Sequence, residues 1–241
     1  MMTVQLVSIN PNIDWEEQFQ EVLEIINIST SDIILFPGHT LADMQQLKAL
    51  RNKITNKHSV VFLEVQERNF SKNSLFIIRN GKVIDLMTNQ RFMESKDIDG
   101  DEFECKSFLK ELKGKRIIRV KGFQILILQC GENNIINAHS DATSKAEFRF
   151  SDNPELTKEW NDIFSKIDIV LNPIHTRMNR QALMAKRREY LSSDGRAYFS
   201  VNNTENFKQK SCHYAYVDSK PIDCIQIKND TDSTCSWIYK L

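Results

Sequence analysis

Three short stretches almost free of polar residues most constrain what this chain can fold into. They are Ile33-Ile34-Leu35-Phe36-Pro37, the Ile125-Leu126-Ile127-Leu128 core of Phe123–Cys130, and Ile169-Val170-Leu171 within Asp168–Asn172. Short continuous apolar runs bounded by polar or turn residues are the pattern of strands buried on both faces. A sheet of such strands has no solvent face, so helices or a second sheet must cover each side.

The intervening segments supply that cover. Thr3–Ile9 alternates and ends at Asn10-Pro11, which predicts a first strand. Asp14 can cap a helix with Trp15, Phe19, Val22, Leu23 and Ile26 on one face, and Leu41, Met44, Leu47, Leu50 and Ile54 give a second. Ser59–Val65 is the third strand, and Asn73–Arg79 and Lys82–Thr88 flank Asn80-Gly81, a hairpin turn. A short helix over Ser107–Leu112 precedes the strand Arg116–Val120, and the polar region running on to Asn153 has no clear assignment. Pro154–Ile167 is a helix with Leu156, Trp160, Ile163 and Phe164 inward, and Pro173 is expected to stop the strand that follows it. Arg180–Leu191 is a helix whose Lys186-Arg187-Arg188 run reads as a solvated face, and Arg196–Val201 is a strand. Three more strands are expected in Ser211–Val217, Ile222–Lys228 and Cys235–Tyr239. This alternation around one hairpin implies an α/β chain mixing parallel and antiparallel strands, with residues 1–241 as a single domain.

Charge and cysteine usage narrow the partners. The 32 basic and 32 acidic residues cancel, so no global field favours nucleic acid or an anionic membrane, and self-association is unopposed. Five cysteines without CxxC spacing point to a reduced, cytoplasmic chain rather than a disulfide framework. No window approaches the ~18 apolar residues of a membrane span, and the N-terminal segment lacks the pattern of a signal peptide. The acidic stretch Asp97–Glu102 has its glycine misplaced for a calcium loop, so a solvated loop is expected, and no metal or cofactor is implied.

The chemistry gathers where strands end. Phe36-Pro37-Gly38-His39, Asn89-Gln90-Arg91-Phe92, Cys130-Gly131-Glu132 and Asn172-Pro173-Ile174-His175 each follow a predicted strand, the position where α/β sheets place their ligands. Cys130 is the candidate nucleophile and Glu132 a candidate catalytic carboxylate beside it. His39, Arg91 and His175 are candidate substrate-binding residues, with Arg177 next to them in sequence.

In this order the motifs resemble the nitrilase superfamily of carbon–nitrogen hydrolases. A strand ending in Phe36-Pro37 comes first, then a strand pair bearing Asn73-Ser74, the Cys130 strand, Asp168-Ile-Val-Leu-Asn-Pro173, and finally Gly195-Arg-Ala-Tyr-Phe-Ser-Val-Asn-Asn203. The resemblance covers about Thr3 to Asn203 and implies an α-β-β-α sandwich, a dimer or hetero-oligomer, and a small amide- or nitrile-like ligand. It also implies a glutamate base, a lysine for the tetrahedral intermediate and a cysteine nucleophile. Cys130 matches the last, but the glutamate position holds Gly38 and the lysine position holds Gln90. The sequence therefore predicts a nitrilase-like protein without ordinary amidase activity, serving as a binding or regulatory subunit. The alternative is an active thiol hydrolase or acyl transferase with a rewired base. There, His39 or a distant carboxylate takes the proton, and Arg91 or main-chain N–H groups hold the oxyanion.

Overall fold

The computed structural model describes the chain except residues 67–73, 142, 176–179, 208–211 and 230, with backbone alone described at 84–87 and 229. From the N-terminus run β1 (Thr3–Ile9), α1 (Trp15–Ile28), β2 (Ile33–Leu35), α2 (Met44–Lys53), β3 (Val60–Val65), β4 (Ser74–Arg79) and β5 (Lys82–Asn89). Then follow α3 (Glu102–Glu111), β6 (Ile117–Val120), β7 (Phe123–Ile127), a 3-10 turn over Cys130–Ile135, β8 (Ile136–Asn137) and β9 (Glu147–Phe148). The chain closes with α4 (Pro154–Phe164), β10 (Ile169–Ile174), α5 (Gln181–Leu191), β11 (Ala197–Asn202), β12 (His213–Val217), β13 (Lys220–Pro221), β14 (Gln226–Asn229) and β15 (Thr234–Lys240). None of the described helices is long and apolar enough to cross a membrane.

Beside a two-stranded β8-β9 sheet, two large sheets form, in the orders β14-β15-β1-β2-β3-β4-β5 and β13-β12-β11-β10-β7-β6. The apolar runs explain why they stack. Alternate residues of one strand point to opposite faces. Thus Leu6, Leu35 and Phe62 of the first sheet pack against Ile127, Leu171 and Phe199 of the second. Their neighbours Val7, Ile34 and Val61 face Phe19, Val22 and Leu47 of α1 and α2. On the far side Leu126, Val170 and Tyr198 meet Phe108, Trp160 and Leu191 of α3, α4 and α5. The result is the four-layer α-β-β-α sandwich.

Several boundaries differ from the sequence reading, each for a local reason. Leu41 bridges Val65 instead of opening a helix, and α2 starts after Asp43, whose carboxylate caps Gln45 N and Gln46 N. The acidic stretch is partly structural: Asp101 accepts from Glu104 N and starts α3 well before Ser107. Residues 136–148, unassigned from sequence, contain the small β8–β9 ribbon. β10 runs through Pro173 to Ile174 beside β11. Leu171 O accepts from Leu128 N on the β7 side, and Pro173 faces that side two residues later, where the chain has already turned off toward Cys130. No N–H is needed there, so proline is tolerated. The last strand, β15, pairs antiparallel with β1 along its full length, Leu6 opposite Trp237, and so lies inside the first sheet.

Candidate active site

The ends of β2, β3, β7 and β10 meet on one rim. Gly38 N donates to Ile174 O at 3.0 Å, and Asn203 Nδ2 donates to Gly38 O at 2.8 Å, tying the two sheets together just above the core. The loop after Gly38 is fixed by Gln18, whose amide donates to the His39 and Thr40 carbonyls.

Cys130 sits where the chain leaves the sheet. Its φ is +25°, an unfavourable conformation for a residue with a side chain, and the residue is partly exposed. The next residue must be glycine for a different reason: a Cβ at Gly131 would lie 2.1 Å from Met93 O.

Beside the sulfur stands His175, hydrogen-bonded to the Cys130 side chain. Its Nε2 lies 2.7 Å from Glu64 Oε2, and Gln129 Nε2 donates to Glu64 Oε1 at 3.0 Å. Glu64 has no exposed surface, and His175 is 9% exposed. Burial alone would drive the His175 ring toward its neutral form, but the hydrogen bonds to Cys130 and Glu64, and the charge they carry, push its pKa up to about 10. Cys130, His175 and Glu64 therefore form a thiol–imidazole–carboxylate relay. The His39 ring stacks on His175 with centroids 4.2 Å apart and planes 17° from parallel. Burial, and then the positive charge of His175, lower its pKa to about 4, with Glu64 opposing, so His39 is neutral at pH 7.

Space for the relay comes from Gly38. A Cβ there would fall 1.7 Å from His175 Cδ2 and 2.6 Å from Nε2. Any side chain at position 38 would therefore evict the imidazole.

No family model matches the chain, and no curated protein does, but solved structures do. An amidase from Nesterenkonia sp. aligns over 99% of this chain and 90% of its own, with TM-score 0.58 at 10% identity. A second structure, described as a mutant of the Nesterenkonia AN1 amidase from the nitrilase superfamily, aligns equally well. A glutamine-dependent NAD(+) synthetase from Cytophaga hutchinsonii aligns over 92% of this chain with TM-score 0.55 at 13% identity. This chain spans only 40% of the synthetase's length. The fold is nitrilase-like.

On this nitrilase-like frame the remaining candidate residues are occupied elsewhere. Glu132 is fully buried and accepts from Arg116 Nη1 at 2.9 Å and Nη2 at 3.1 Å, from Arg91 N at 2.8 Å and from Gln129 N at 2.7 Å. Burial raises its pKa while Arg116 and the two main-chain donors oppose. With four donors on two oxygens it braces the Cys130 turn. The Arg91 guanidinium points to α3, held by Glu104 at 2.8 and 2.7 Å and by Ser107 at 2.8 Å. Gln90, where the sequence resemblance expects a lysine, is buried with its amide donating to Phe92 O at 3.0 Å. Arg177 and Asn73 lie outside the described residues.

Glu64 and Gln129 went unrecognised in the sequence. The available signal was a carboxylate inside Val60-Val-Phe-Leu-Glu64-Val65, a strand otherwise apolar at every position. A buried charge in such a strand demands a partner.

Proposed function

We propose that this nitrilase-like protein is a thiol-dependent hydrolase or acyl transferase acting on small, non-peptide C–N substrates, with His175 and Glu64 replacing the family's glutamate base. The observation that carries this reading is the Glu64–His175–Cys130 relay standing in the space that Gly38 leaves empty. Loss of a base by drift has no reason to be matched by a histidine and a fully buried carboxylate aligned on the same thiol. The amidase structures it resembles include one with a covalent acetamide adduct at the active-site cysteine.

In this reading the proton of the Cys130 thiol is already held by His175, as the raised pKa of the ring favours, and Cys130 Sγ forms a bond to the carbonyl or nitrile carbon. For an amide, the imidazolium then protonates the leaving nitrogen, the C–N bond breaks, and a thioester remains on Cys130. Water, or an amine in the transferase case, attacks the thioester with the now neutral His175 taking its proton, the C–S bond breaks, and the starting Cys130–His175 pair is restored. Glu64 fixes the ring and balances its charge without touching substrate. With Gln90 and Arg91 both engaged elsewhere, the oxyanion is left to the main-chain N–H groups of the Cys130–Gly131 turn.

A second reading, a binding or regulatory subunit, is favoured by one observation: the amide at the lysine position is folded onto Phe92 O. Intact-mass measurement after incubation with a panel of amides, nitriles and activated esters separates the two. The active reading expects an acyl adduct absent from Cys130→Ala. A folded protein that stays unmodified across the panel supports the subunit reading instead.

A further inference from the structure

The Lys186-Arg187-Arg188 run, read from sequence as a solvated face, is not solvated: Arg187 is 7% exposed and Arg188 2%. Arg188 is partly accounted for, although its Nε too is buried without a hydrogen-bond partner among the described residues. Its guanidinium lies 3.3 Å from the centre of the Tyr214 ring, and Nη2 donates to Gln181 Oε1 at 3.3 Å. Arg187 is not. Among the described residues its Nη1 has only the Met184 sulfur, at 3.8 Å, and its Nε is buried with no hydrogen-bond partner. No carboxylate among the described residues pairs with it.

Its charged surroundings make matters worse. The charges that bear on Arg187 are those of Arg149 and Arg180, both repulsive, with only the Tyr198 hydroxyl in its favour. The Arg149 side chain is 8% exposed, its Nε donating to Asn134 O at 2.7 Å and its Nη1 reaching the exposed Asp99 at 2.9 Å. Burial and Arg149 lower the Arg187 pKa to about 10, which still leaves it cationic at neutral pH. A buried guanidinium that stays charged and has no counter-ion among the described residues is a standing cost to the fold.

The cluster is anchored to the turn that carries the thiol. Tyr198 accepts from Asn133 Nδ2 at 3.2 Å and donates to Asn172 Oδ1 at 2.9 Å, and Arg149 holds the next residue, Asn134. We propose that Arg187, with Arg149 and Arg180 beside it, is a binding site for the carboxylate or phosphate group of a small molecule. The free Nε lies on the edge of the guanidinium fork that such groups engage in a bidentate manner. This site goes beyond the catalytic reading and does not depend on it.

The test is thermal unfolding of the full chain at pH 7 in sodium chloride, sodium phosphate and sodium succinate at matched ionic strength. Phosphate or succinate is expected to raise Tm by about 3 °C or more over chloride, and the larger of the two shifts identifies the group. Arg187→Met, which keeps the length and removes the charge, is expected to be at least as stable as wild type in chloride and to lose the oxyanion shift. Cys130→Ala is expected to keep it, so catalytic silence with a retained shift would count against the catalytic reading alone. Equal Tm in all three salts, or a shift that survives in Arg187→Met, overturns the proposal. Should Arg187→Met not fold, calorimetric titration of wild type with phosphate and with succinate decides, and the absence of saturable heat from both overturns it.

Discussion

Two places on the same rim hold other residues where the sequence resemblance expects a catalytic side chain, and they are filled in opposite ways. At the base position, Gly38 leaves a space that His175 enters, and the ring finds a buried carboxylate on one side and the thiol on the other. At the lysine position, Gln90 turns back onto Phe92 O, while Arg91, Arg116, Glu104, Glu111 and Glu132 lock into an ion-pair network. The first arrangement keeps an ionisable group beside the thiol of the partly exposed Cys130. The second saturates every oxygen of Glu132 with donors and serves only to hold the turn. A missing catalytic residue is thus informative only once its replacement volume is known.

If the base side works and the lysine side merely supports, substitutions on the two sides should differ in kind. The largest effect belongs to His175→Gln, which should lower the rate of Cys130 acylation by about 10²–10⁴-fold in a folded protein, with Glu64→Gln acting in the same direction. Single-turnover kinetics on any substrate that gives an adduct checks this, and an unchanged rate would erase the distinction between the two sides.

Introducing the residues that the sequence resemblance expects should not help. Gly38→Glu places a Cβ against the His175 ring, so the variant, alone or with Gln90→Lys, should lose adduct formation instead of gaining it. Overpacking there should also cost about 1–3 kcal/mol in urea unfolding. Activity gained by the double variant would show that the ancestral pocket survives and that the histidine relay is incidental.

On the other side, Arg116→Met leaves Glu132 buried without its cation. Breaking a buried pair of this kind should destabilise the fold by about 3–5 kcal/mol, measured as a fall in urea midpoint, without touching the relay itself.

The smallest effect is in pH dependence. His175 has its folded pKa raised from an ordinary 6.5 to about 10. Its contribution to stability is therefore complete below pH 6.5 and is lost as pH rises toward 10. His39 has the opposite sign: lowered to about 4, it contributes above pH 6.5 and loses that contribution as pH falls toward 4. The urea midpoint advantage of wild type over His175→Gln should shrink on the alkaline side, and that over His39→Gln on the acid side.

Much of the fold was legible because it rests on local pattern. The apolar runs gave the buried strands, Asp14 gave the α1 cap, and the Cys130 strand end located the rim. The site was only partly legible. Cys130 and His175 were both singled out, but their partnership depends on Glu64 and Gly38, which approach from strands far apart in sequence. Glycine at position 38 reads as a loss in one dimension and as a space in three. Arg187 was misjudged because a run of three basic residues resembles a surface. Nothing local announces that α5 turns two of them inward. Pro173 misled in the same way, since its tolerance depends on where a neighbouring strand ends.

The central claim is that His175 activates Cys130. The most direct test is the rate of iodoacetamide labelling of Cys130 at pH 7, followed by peptide mass in wild type and in His175→Gln. A thiol paired with a protonated His175 should label roughly tenfold or more faster in wild type than in the variant. Equal rates in two folded proteins would contradict the account.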